Sequence, residues 1–296
     1  MNSIKILKTL NKTSNLKYFN RSFSTSKSNI NNKMTSPIPT PTKFDDKFGS
    51  ISKSYKNFRP TYNDELYSII DSHCDEKRDL AIDIGAGSGQ ATVRLAKYFK
   101  KVIGFEPSQG QIENAEKTDN VEYRLSAAEK IDLPSGSVDL ITVAQAAHWF
   151  NLPVFYEESK RLLRENGSLI IWSYGLMKIT NNNDAQVVHE KHYYETIGDQ
   201  YWAPERKYID DEYVDIKPSF ENTTRKTISL PKSMSINDMI GYYSSWSGYA
   251  AFIKAGNKDV LPEIKETLLK AYKTTDGDSK LIDVNFPVYM ILSKKE

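Results

Sequence analysis

Three glycines at alternate positions, Gly85, Gly87 and Gly89, follow an apolar run that contains one acid, Asp83. The run predicts a buried strand, and a helical pattern begins at Ala91. A chain that turns through glycines from a strand into a helix lets a ligand lie against bare backbone, near the amides of the helix N-terminus. A tight turn without a ligand is the alternative. The candidate ligand-binding residues of this loop are Asp83, Gly85, Ala86, Gly87 and Gly89.

A second candidate is Glu106, which ends the apolar run 101–105 and follows the first glycine by 21 positions. In α/β folds a carboxylate about 20 residues beyond such a glycine binds ribose hydroxyls. A carboxylate has enough lone pairs to accept from both hydroxyls. The alternative is that Glu106 only favours the positive end of the next helix. That helix has a capping box of its own, Ser108 and Gln111, so we predict ribose binding.

Residues after the fourth apolar run could act on a second substrate. His148 could orient an acceptor or remove its proton, because imidazole is the side chain whose ordinary pKa suits neutral pH. The face of Trp149 could attract a cation, worth about 0.5–2 kcal/mol. A histidine bonded to backbone and a tryptophan packed in the core are the alternatives. His189 and His192 lie one helical turn apart, for which a solvated helix face is favoured over a metal site.

Short apolar strands alternate with helices through the first half of the chain. The pattern predicts strands at 80–84, 101–106, 121–125, 138–143 and 168–174, and helices at 62–73, 89–99, 108–117 and 153–164. This alternation predicts an α/β fold, a parallel sheet with helices on both faces, whose ligands bind beyond the carboxyl ends of the strands.

The alternation stops after Tyr174. Residues 176–220 are polar and aromatic, include a predicted helix at 184–197, and are expected to cap the substrate pocket. Two further strands are predicted at 225–230 and 284–292, the last one antiparallel, with helices at 235–245 and 260–272.

The charge distribution indicates a separate leader. Residues 1–34 contain seven of the 40 Lys and Arg residues and no acid, so the rest of the 296-residue chain has 33 basic against 38 acidic residues. The leader is rich in Ser, Thr and Asn, which is typical of a mitochondrial presequence. A disordered basic tail is the alternative, and a start at Met34 would give a cytosolic form. A Pro/Thr linker spans 35–43, and the globular domain is predicted at 44–296.

Composition also excludes several classes of partner. The acidic domain argues against nucleic-acid binding, which requires a basic face. No apolar run approaches the ~20 residues of a membrane span. The single cysteine, Cys74, excludes an internal disulfide and a cysteine metal cluster, so we expect no metal. The oligomeric state is left open.

Five segments together resemble the class I methyltransferases that use S-adenosylmethionine (SAM). They are Tyr55-Lys-Asn-Phe-Arg-Pro-Thr-Tyr62, the loop Asp83–Gly89, Glu106-Pro-Ser108, Ala127-Ala-Glu129 and Gln145-Ala-Ala-His-Trp-Phe150. Within this class the chain is similar to the small-molecule group that contains trans-aconitate methyltransferases. It departs from many members of that group at Asn151, where they have Asp.

The resemblance implies a Rossmann-like, seven-stranded, mostly parallel sheet with a helical cap insertion. It implies SAM as cofactor and methyl transfer to a small-molecule acceptor, a carboxylic acid being one candidate. The implied catalytic residues are His148 and Trp149. The implied cofactor-binding residues are Asp83, Gly85, Ala86, Gly87, Gly89, Glu106, Ala128, Glu129, Gln145, Tyr55, Arg59 and Tyr62.

Two other functions are weighed against methyl transfer. A non-catalytic scaffold protein with the same fold is the alternative, although it would be free to lose the glycine loop, Glu106 and the His-Trp pair. A nicotinamide-dependent dehydrogenase does not fit, because its loop would follow the G-x-G-x-x-G spacing.

Overall fold

A computed structural model of the chain describes residues 60–296. The predicted presequence at 1–34, the linker at 35–43 and two candidate site residues, Tyr55 and Arg59, lie outside this range. What the sequence predicts about them stays a prediction.

The described residues form an eight-stranded, mostly parallel sheet. Its strands are β1 (Leu80–Ile84), β2 (Lys101–Glu106), β3 (Val121–Leu125), β4 (Val138–Ala144), β5 (Leu163–Tyr174), β6 (Lys178–Ile179), β7 (Asn222–Ser235) and β8 (Leu281–Lys294). The strand order is β3-β2-β1-β4-β5-β8-β6, and β7 pairs with β8. Strands β1 to β5 are parallel, whereas β8 runs antiparallel to β5, β6 and β7. The predicted fold class and the antiparallel last strand are confirmed, and the two-residue β6 is an addition to the seven strands expected.

Helices cover both faces of this sheet. They are α1 (Asp64–His73), α2 (Thr92–Leu95), α3 (Gln109–Glu113), α4 (Leu152–Leu162), α5 (Asn183–Lys191), α6 (Arg206–Asp210), α7 (Ile236–Ser244), α8 (Ser247–Lys254) and α9 (Leu261–Ala271). Two 3-10 helices, Ala147–Trp149 and Asp199–Tyr201, and a π-helix, His192–Ile197, complete the set. The sequence did not indicate α6, α8 or β6.

Two helices beside the glycine loop are shorter than the sequence predicts. After α2, the amides of Lys97 and Tyr98 bond to carbonyls three residues back, so the turns tighten and the α-helix ends. In α3 the Asn114 side chain donates to the Gly110 carbonyl, competing with the backbone bond of the next turn. The predicted start of α3 is confirmed, since the Ser108 hydroxyl accepts from the Gln111 amide.

Neighbouring residues of the central strands belong to two different hydrophobic cores. Ala81 and Leu140 join a core that includes α1 and the helices α7 to α9, whereas Ile82 and Ile141 join a core that includes α4. This follows from the strand period, which sends successive side chains to opposite faces. The sheet is therefore buried on both sides, which explains its nearly continuous apolar strands.

The segment 176–220, which we call the helical insert, contributes to both cores. Tyr193 and Ile197 pack in the first core, and Ile209 and Tyr213 pack in the second. Helix α6 of the insert packs against the 3-10 helix Ala147–Trp149 that follows β4. The insert therefore passes from one layer to the other at the carboxyl end of β4, where the sequence places the ligand site.

A charged cluster fixes the opposite end of the central strands. The Asp139 carboxylate is buried and accepts from the amides of Asp79 and Leu80, at 2.8 and 2.7 Å. Arg164 forms ion pairs with both Asp139 and Asp75. This cluster holds the start of β1 against β4.

The two neighbouring histidines do not lie on a solvated helix face, so that expectation is wrong. His189 and His192 are 0% and 1% exposed. Both contact the rings of Tyr243 and Trp246. Among residues 60–296 no group of His, Cys, Asp and Glu side chains is arranged to hold a metal ion. In the same range no helix has the length and apolar character needed to cross a membrane.

Candidate functional site

The glycine loop is tied to the neighbouring strand by backbone hydrogen bonds. The amides of Gly85 and Ala86 both donate to the Phe105 carbonyl on β2, at 2.8 and 3.1 Å. Gly85, Gly87 and Gly89 all have positive φ, at 72°, 55° and 85°, a conformation that only glycine adopts without strain. The loop therefore needs its glycines to fold, whether or not a ligand is bound.

The three glycines differ in what lies beside them. A Cβ atom at Gly85 would come within 2.5 Å of the Ala146 Cβ, and one at Gly89 would overlap the Tyr123 hydroxyl. Among residues 60–296, no atom lies within 4 Å of the position that a Cβ atom at Gly87 would take. Gly85 and Gly89 thus permit close packing, while Gly87 faces open space that a ligand could occupy.

Glu106 lies beside this open position. Its Oε2 accepts from the Gly87 amide at 2.8 Å, and its Oε1 accepts from the Ser108 amide at 3.0 Å. A carboxylate only accepts hydrogen bonds and has about four lone-pair sites on its two oxygens, which is the chemistry needed to accept from ribose hydroxyls. The structure therefore brings together the two features that the sequence singled out first.

Asp83 fixes the end of the strand that precedes the glycine loop. Its carboxylate is completely buried and accepts from the hydroxyls of Thr92 on α2 and Thr142 on β4, each at 2.7 Å. Burial raises the pKa of Asp83 to about 6, against the effect of the two threonine hydrogen bonds. Asp83 joins β1, α2 and β4, and this geometry favours a supporting role.

The two candidates after β3 lie near the start of α4. Ala128 is buried, and the Glu129 carboxylate accepts from the Asn151 amide at 2.8 Å. Asn151 precedes the first residue of α4 and makes no capping bond with its own side chain. Glu129 therefore fixes the loop after β3 to the turn that carries His148 and Trp149.

Gln145 links the ends of two strands. It has a positive φ of 58°, unusual outside glycine, in the position directly after β4. Its Oε1 accepts from the Ser173 hydroxyl at 2.9 Å, and its Nε2 donates to the Tyr174 carbonyl at 3.4 Å. Gln145 is thereby fixed between the carboxyl ends of β4 and β5.

His148 and Trp149 lie on the 3-10 helix Ala147–Trp149, with ring centroids 5.0 Å apart. The His148 Nδ1 lies 2.6 Å from the hydroxyl of Tyr213, a residue of the helical insert. Burial, together with the smaller effect of the Arg206 charge, lowers the pKa of His148 to about 3. The imidazole is therefore neutral at physiological pH and is a weak base.

The segment before α1 lies against the glycine loop. The Gln90 side chain donates to the Pro60 carbonyl at 3.1 Å. Tyr62 meets the ring of Trp172 edge-on, with centroids 5.5 Å apart. Its predicted contact with a cofactor stays a prediction.

Sequence reasoning did not single out Tyr213 or Arg206, both in the helical insert. The Arg206 guanidinium lies 5.3 Å from the ring centroid of Tyr193 and 5.1 Å from that of Trp202. Its Nε donates to the Tyr193 hydroxyl at 2.7 Å and pairs with Asp210 at 3.2 Å. The many aromatic residues of the insert indicate that it packs against the domain. The sequence does not show which residues they contact, because partners such as His148 and Tyr213 are far apart in the chain.

Comparison with known proteins indicates the same kind of domain as the geometry of the site. Residues 82–171 match the family model of the methyltransferase domain. A probable SAM-dependent methyltransferase of Saccharomyces cerevisiae is 36% identical over 131 residues, which cover 42% of this chain and 45% of the yeast protein. Residues 82–171 thus form a methyltransferase domain.

Other relatives extend this assignment of the methyltransferase domain. An uncharacterized methyltransferase of Mycobacterium tuberculosis is 33% identical over 129 residues, covering 43% of this chain and 51% of that protein. A solved structure of a candidate type II methyltransferase from Anaeromyxobacter dehalogenans is 28% identical. It superposes with a TM-score of 0.72 and covers 80% of this chain and 98% of that one.

The chain spans about half the length of the curated relatives it matches. Residues 82–171, which the family model matches, include the glycine loop, Glu106 and the turn with His148. SAM is the cofactor of this domain class, and the loop fits it: Gly87 leaves open space, and Glu106 supplies oxygen acceptors for a ribose.

Proposed function

We propose that this chain transfers a methyl group from SAM to a small-molecule acceptor. The observation that carries the proposal is the Gly87–Glu106 pair, an open glycine position next to a carboxylate at the carboxyl edge of the sheet. The same pair would hold the nucleoside part of SAM, with Glu106 accepting from the ribose hydroxyls and Gly87 leaving room for the ligand.

The acceptor we favour is a carboxylic acid, as in the trans-aconitate methyltransferase group that the sequence resembles. The weak basicity of His148 supports this, because an alcohol or phenol acceptor would require a base to take its proton. A carboxylate already has a nucleophilic oxygen and requires none.

Arg206 provides a second argument for an anionic acceptor. Its helix packs against the turn that carries His148, and its charge contributes to the lowered pKa of His148. Its Nη1 and Nη2 atoms have no hydrogen-bond partner among residues 60–296, since Nε alone bonds to Tyr193 and Asp210. A guanidinium with two unpaired amino groups is suited to bidentate binding of a carboxylate.

When bound, SAM supplies a methyl group that is already activated by the positive sulfonium. The protein then contributes proximity and alignment, which can lower a barrier by several kcal/mol without a catalytic base. Glu106 and the glycine loop hold the donor, and the face of Trp149 attracts its positive charge. With a carboxylate as acceptor, one of its oxygens would take the methyl group and the sulfur would keep the electron pair of the broken C–S bond, so no proton would have to move.

Two variants test the cofactor site. In equilibrium dialysis with radiolabelled SAM, we expect the wild type to bind and Gly87→Arg to lose binding, because the new side chain fills the open position. Gly136→Arg is the matched control. Gly136 also has positive φ, at 66°, and none of the described residues has an atom within 4 Å of its Cβ position, but it precedes β4 at the opposite end of the strand.

A panel of mono-, di- and tricarboxylic acids, incubated with methyl-labelled SAM, then tests the acceptor. Labelled ester from one member supports the proposal. SAM binding without transfer to any tested acid would contradict the carboxylic acid acceptor. A wild type that does not bind SAM would favour the non-catalytic scaffold.

A further inference from the structure

Tyr213 comes from the helical insert and reaches into the site. Its hydroxyl lies 2.6 Å from His148 Nδ1, and the Tyr213 side chain is completely buried. The two residues are 65 positions apart in the chain. This contact links the insert directly to the turn after β4.

The backbone around Tyr213 is strained and is held in place from outside. Glu212 and Tyr213 both have positive φ, at 59° and 58°, which for such residues costs about 1 kcal/mol each. Arg225 on β7 donates to the carbonyls of Tyr213, Val214 and Ile216, at 2.8, 3.3 and 2.5 Å. Strain of this kind persists where surrounding structure imposes it, and it is concentrated at functional sites.

The hydrogen-bond network around the Tyr213 hydroxyl indicates where its proton lies. Its other neighbours are the Ser173 hydroxyl and the His148 backbone amide. The amide can only donate, and the Ser173 hydroxyl donates to Gln145 Oε1 at 2.9 Å. An imidazole nitrogen is a better acceptor than a hydroxyl oxygen, so the phenol proton points to His148 Nδ1.

A neutral imidazole with Nδ1 accepting has its proton on Nε2. Nε2 makes no hydrogen bond within the described part of the chain. It is the ring nitrogen left for a ligand.

We propose that Tyr213 is a positioning residue that fixes His148 with its proton on Nε2, so that His148 donates a hydrogen bond to the methyl acceptor instead of acting as a base. This inference rests on the proposed function for the identity of the ligand, but the tautomer can be measured without turnover. The low pKa of His148 agrees with it, because a neutral imidazole can serve as a donor. With a carboxylate acceptor, the bond to Nε2–H would hold one oxygen and leave the other free to attack.

The first test is the tautomer itself. In ¹⁵N NMR spectra of histidine-labelled protein, we expect the His148 signals to show a protonated Nε2 and a bare Nδ1, assigned by their loss in His148→Gln. Tyr213→Phe should convert this single form into a mixture of tautomers. Tyr67→Phe is the matched control and should leave the tautomer unchanged, because it removes a buried hydroxyl that has no hydrogen-bond partner within residues 60–296.

A protonated Nδ1 in the wild type, or a tautomer unchanged in Tyr213→Phe, would overturn the proposal. Either result stands even if no acceptor is ever found, so it is separable from failure of the proposed function.

The second test separates donor from base in turnover, with the carboxylic acid of the panel that reacts fastest. His148→Gln retains an N–H donor and should retain more activity than His148→Glu, which supplies a base instead. Tyr213→Phe should lower kcat/KM for the acceptor roughly tenfold, as loss of a residue that orients an active-site imidazole does. Its Kd for SAM should be unchanged. Higher activity of His148→Glu than of His148→Gln would refute the donor role.

Discussion

The Gly87 amide donates to Glu106 Oε2 at 2.8 Å, so the residue proposed to bind the ribose also holds the glycine loop. The second oxygen of the same carboxylate accepts from the Ser108 amide at the start of α3. One side chain thus organises both edges of the proposed nucleoside site before any ligand arrives.

Glu106→Gln should weaken SAM binding by roughly 10- to 100-fold. The amide has one oxygen acceptor instead of two, and its NH2 group would face a backbone N–H donor. Hydrogen bonds to a charged group are worth about 1.5–3 kcal/mol, which corresponds to this loss of affinity. Isothermal titration calorimetry measures the change. Glu113→Gln, which alters an exposed acid on α3, should bind like the wild type. Equal affinities for the two variants would remove Glu106 from the site.

Asp83→Asn should alter how stability depends on pH. The pKa of Asp83 is raised to about 6 in the folded protein, whereas an aspartate in an unfolded chain ionises at about pH 4. The folded state therefore binds the proton more tightly. The contribution of Asp83 to the free energy of unfolding is largest below pH 4 and is lost as the pH rises from 4 to 6. The total loss is on the order of 2 kcal/mol. Urea unfolding of wild type and variant at several pH values should give a difference that varies across this window. A constant difference would contradict the raised pKa.

The neighbouring pair His189 and His192 offers a matched comparison in one aromatic cluster. Both ring nitrogens of His192 are buried and have no hydrogen-bond partner in the described part of the chain, and the ring stacks on Trp246 with centroids 5.3 Å apart. His192→Phe should therefore leave the melting temperature unchanged or raise it, because an apolar ring replaces an unsatisfied polar one. His189 bonds to the Tyr243 hydroxyl and the Met177 carbonyl, at 2.9 and 3.1 Å, so His189→Phe should destabilise by about 1–3 kcal/mol.

These buried histidines also predict sensitivity to acid. Burial lowers the pKa of His192 to about 4, below its value in the unfolded chain. Its contribution to stability is therefore present above about pH 6.5 and is lost as the pH falls to about 4. His192→Phe should lose less stability than the wild type between these pH values. Parallel loss in both proteins would contradict the prediction.

Arg164→Ala should be among the most destabilising single changes, at about 3–5 kcal/mol. It leaves the buried Asp139 carboxylate without its cation, and breaking one partner of a buried pair costs this much. The control is Arg124→Ala, which removes an ion pair with Glu122 whose side chains are 35% and 42% exposed. Such surface pairs contribute about 0–1 kcal/mol. Chemical denaturation of both variants tests the contrast, and similar losses would show that the Asp139 cluster is not a buried pair in solution.

The sequence predicted the parts of the fold that depend on local patterns. The bounds of β1, β2 and β3 were predicted as the structure has them, because each is a short local segment in which most residues are apolar. The loop Gly85–Gly89 and Glu106 were found from spacing alone, since chain connectivity fixes how far apart they lie on adjacent strands.

Features that depend on tertiary contacts were not predictable. The bond between Tyr213 and His148 joins residues from different parts of the chain, and no local pattern distinguishes Tyr213 from the other tyrosines of the insert. The burial of His189 and His192 has the same cause, because the helices that cover them, α7 and α8, lie about 50 residues later.

The helical insert belongs to both hydrophobic cores and also supplies Tyr213 and Arg206 to the site. Exchange of this segment for that of a related protein would therefore disturb the packing of both cores as well as the proposed acceptor site. New specificities in this lineage should therefore arise by replacement of single inward-facing side chains, with the path of the backbone inherited intact.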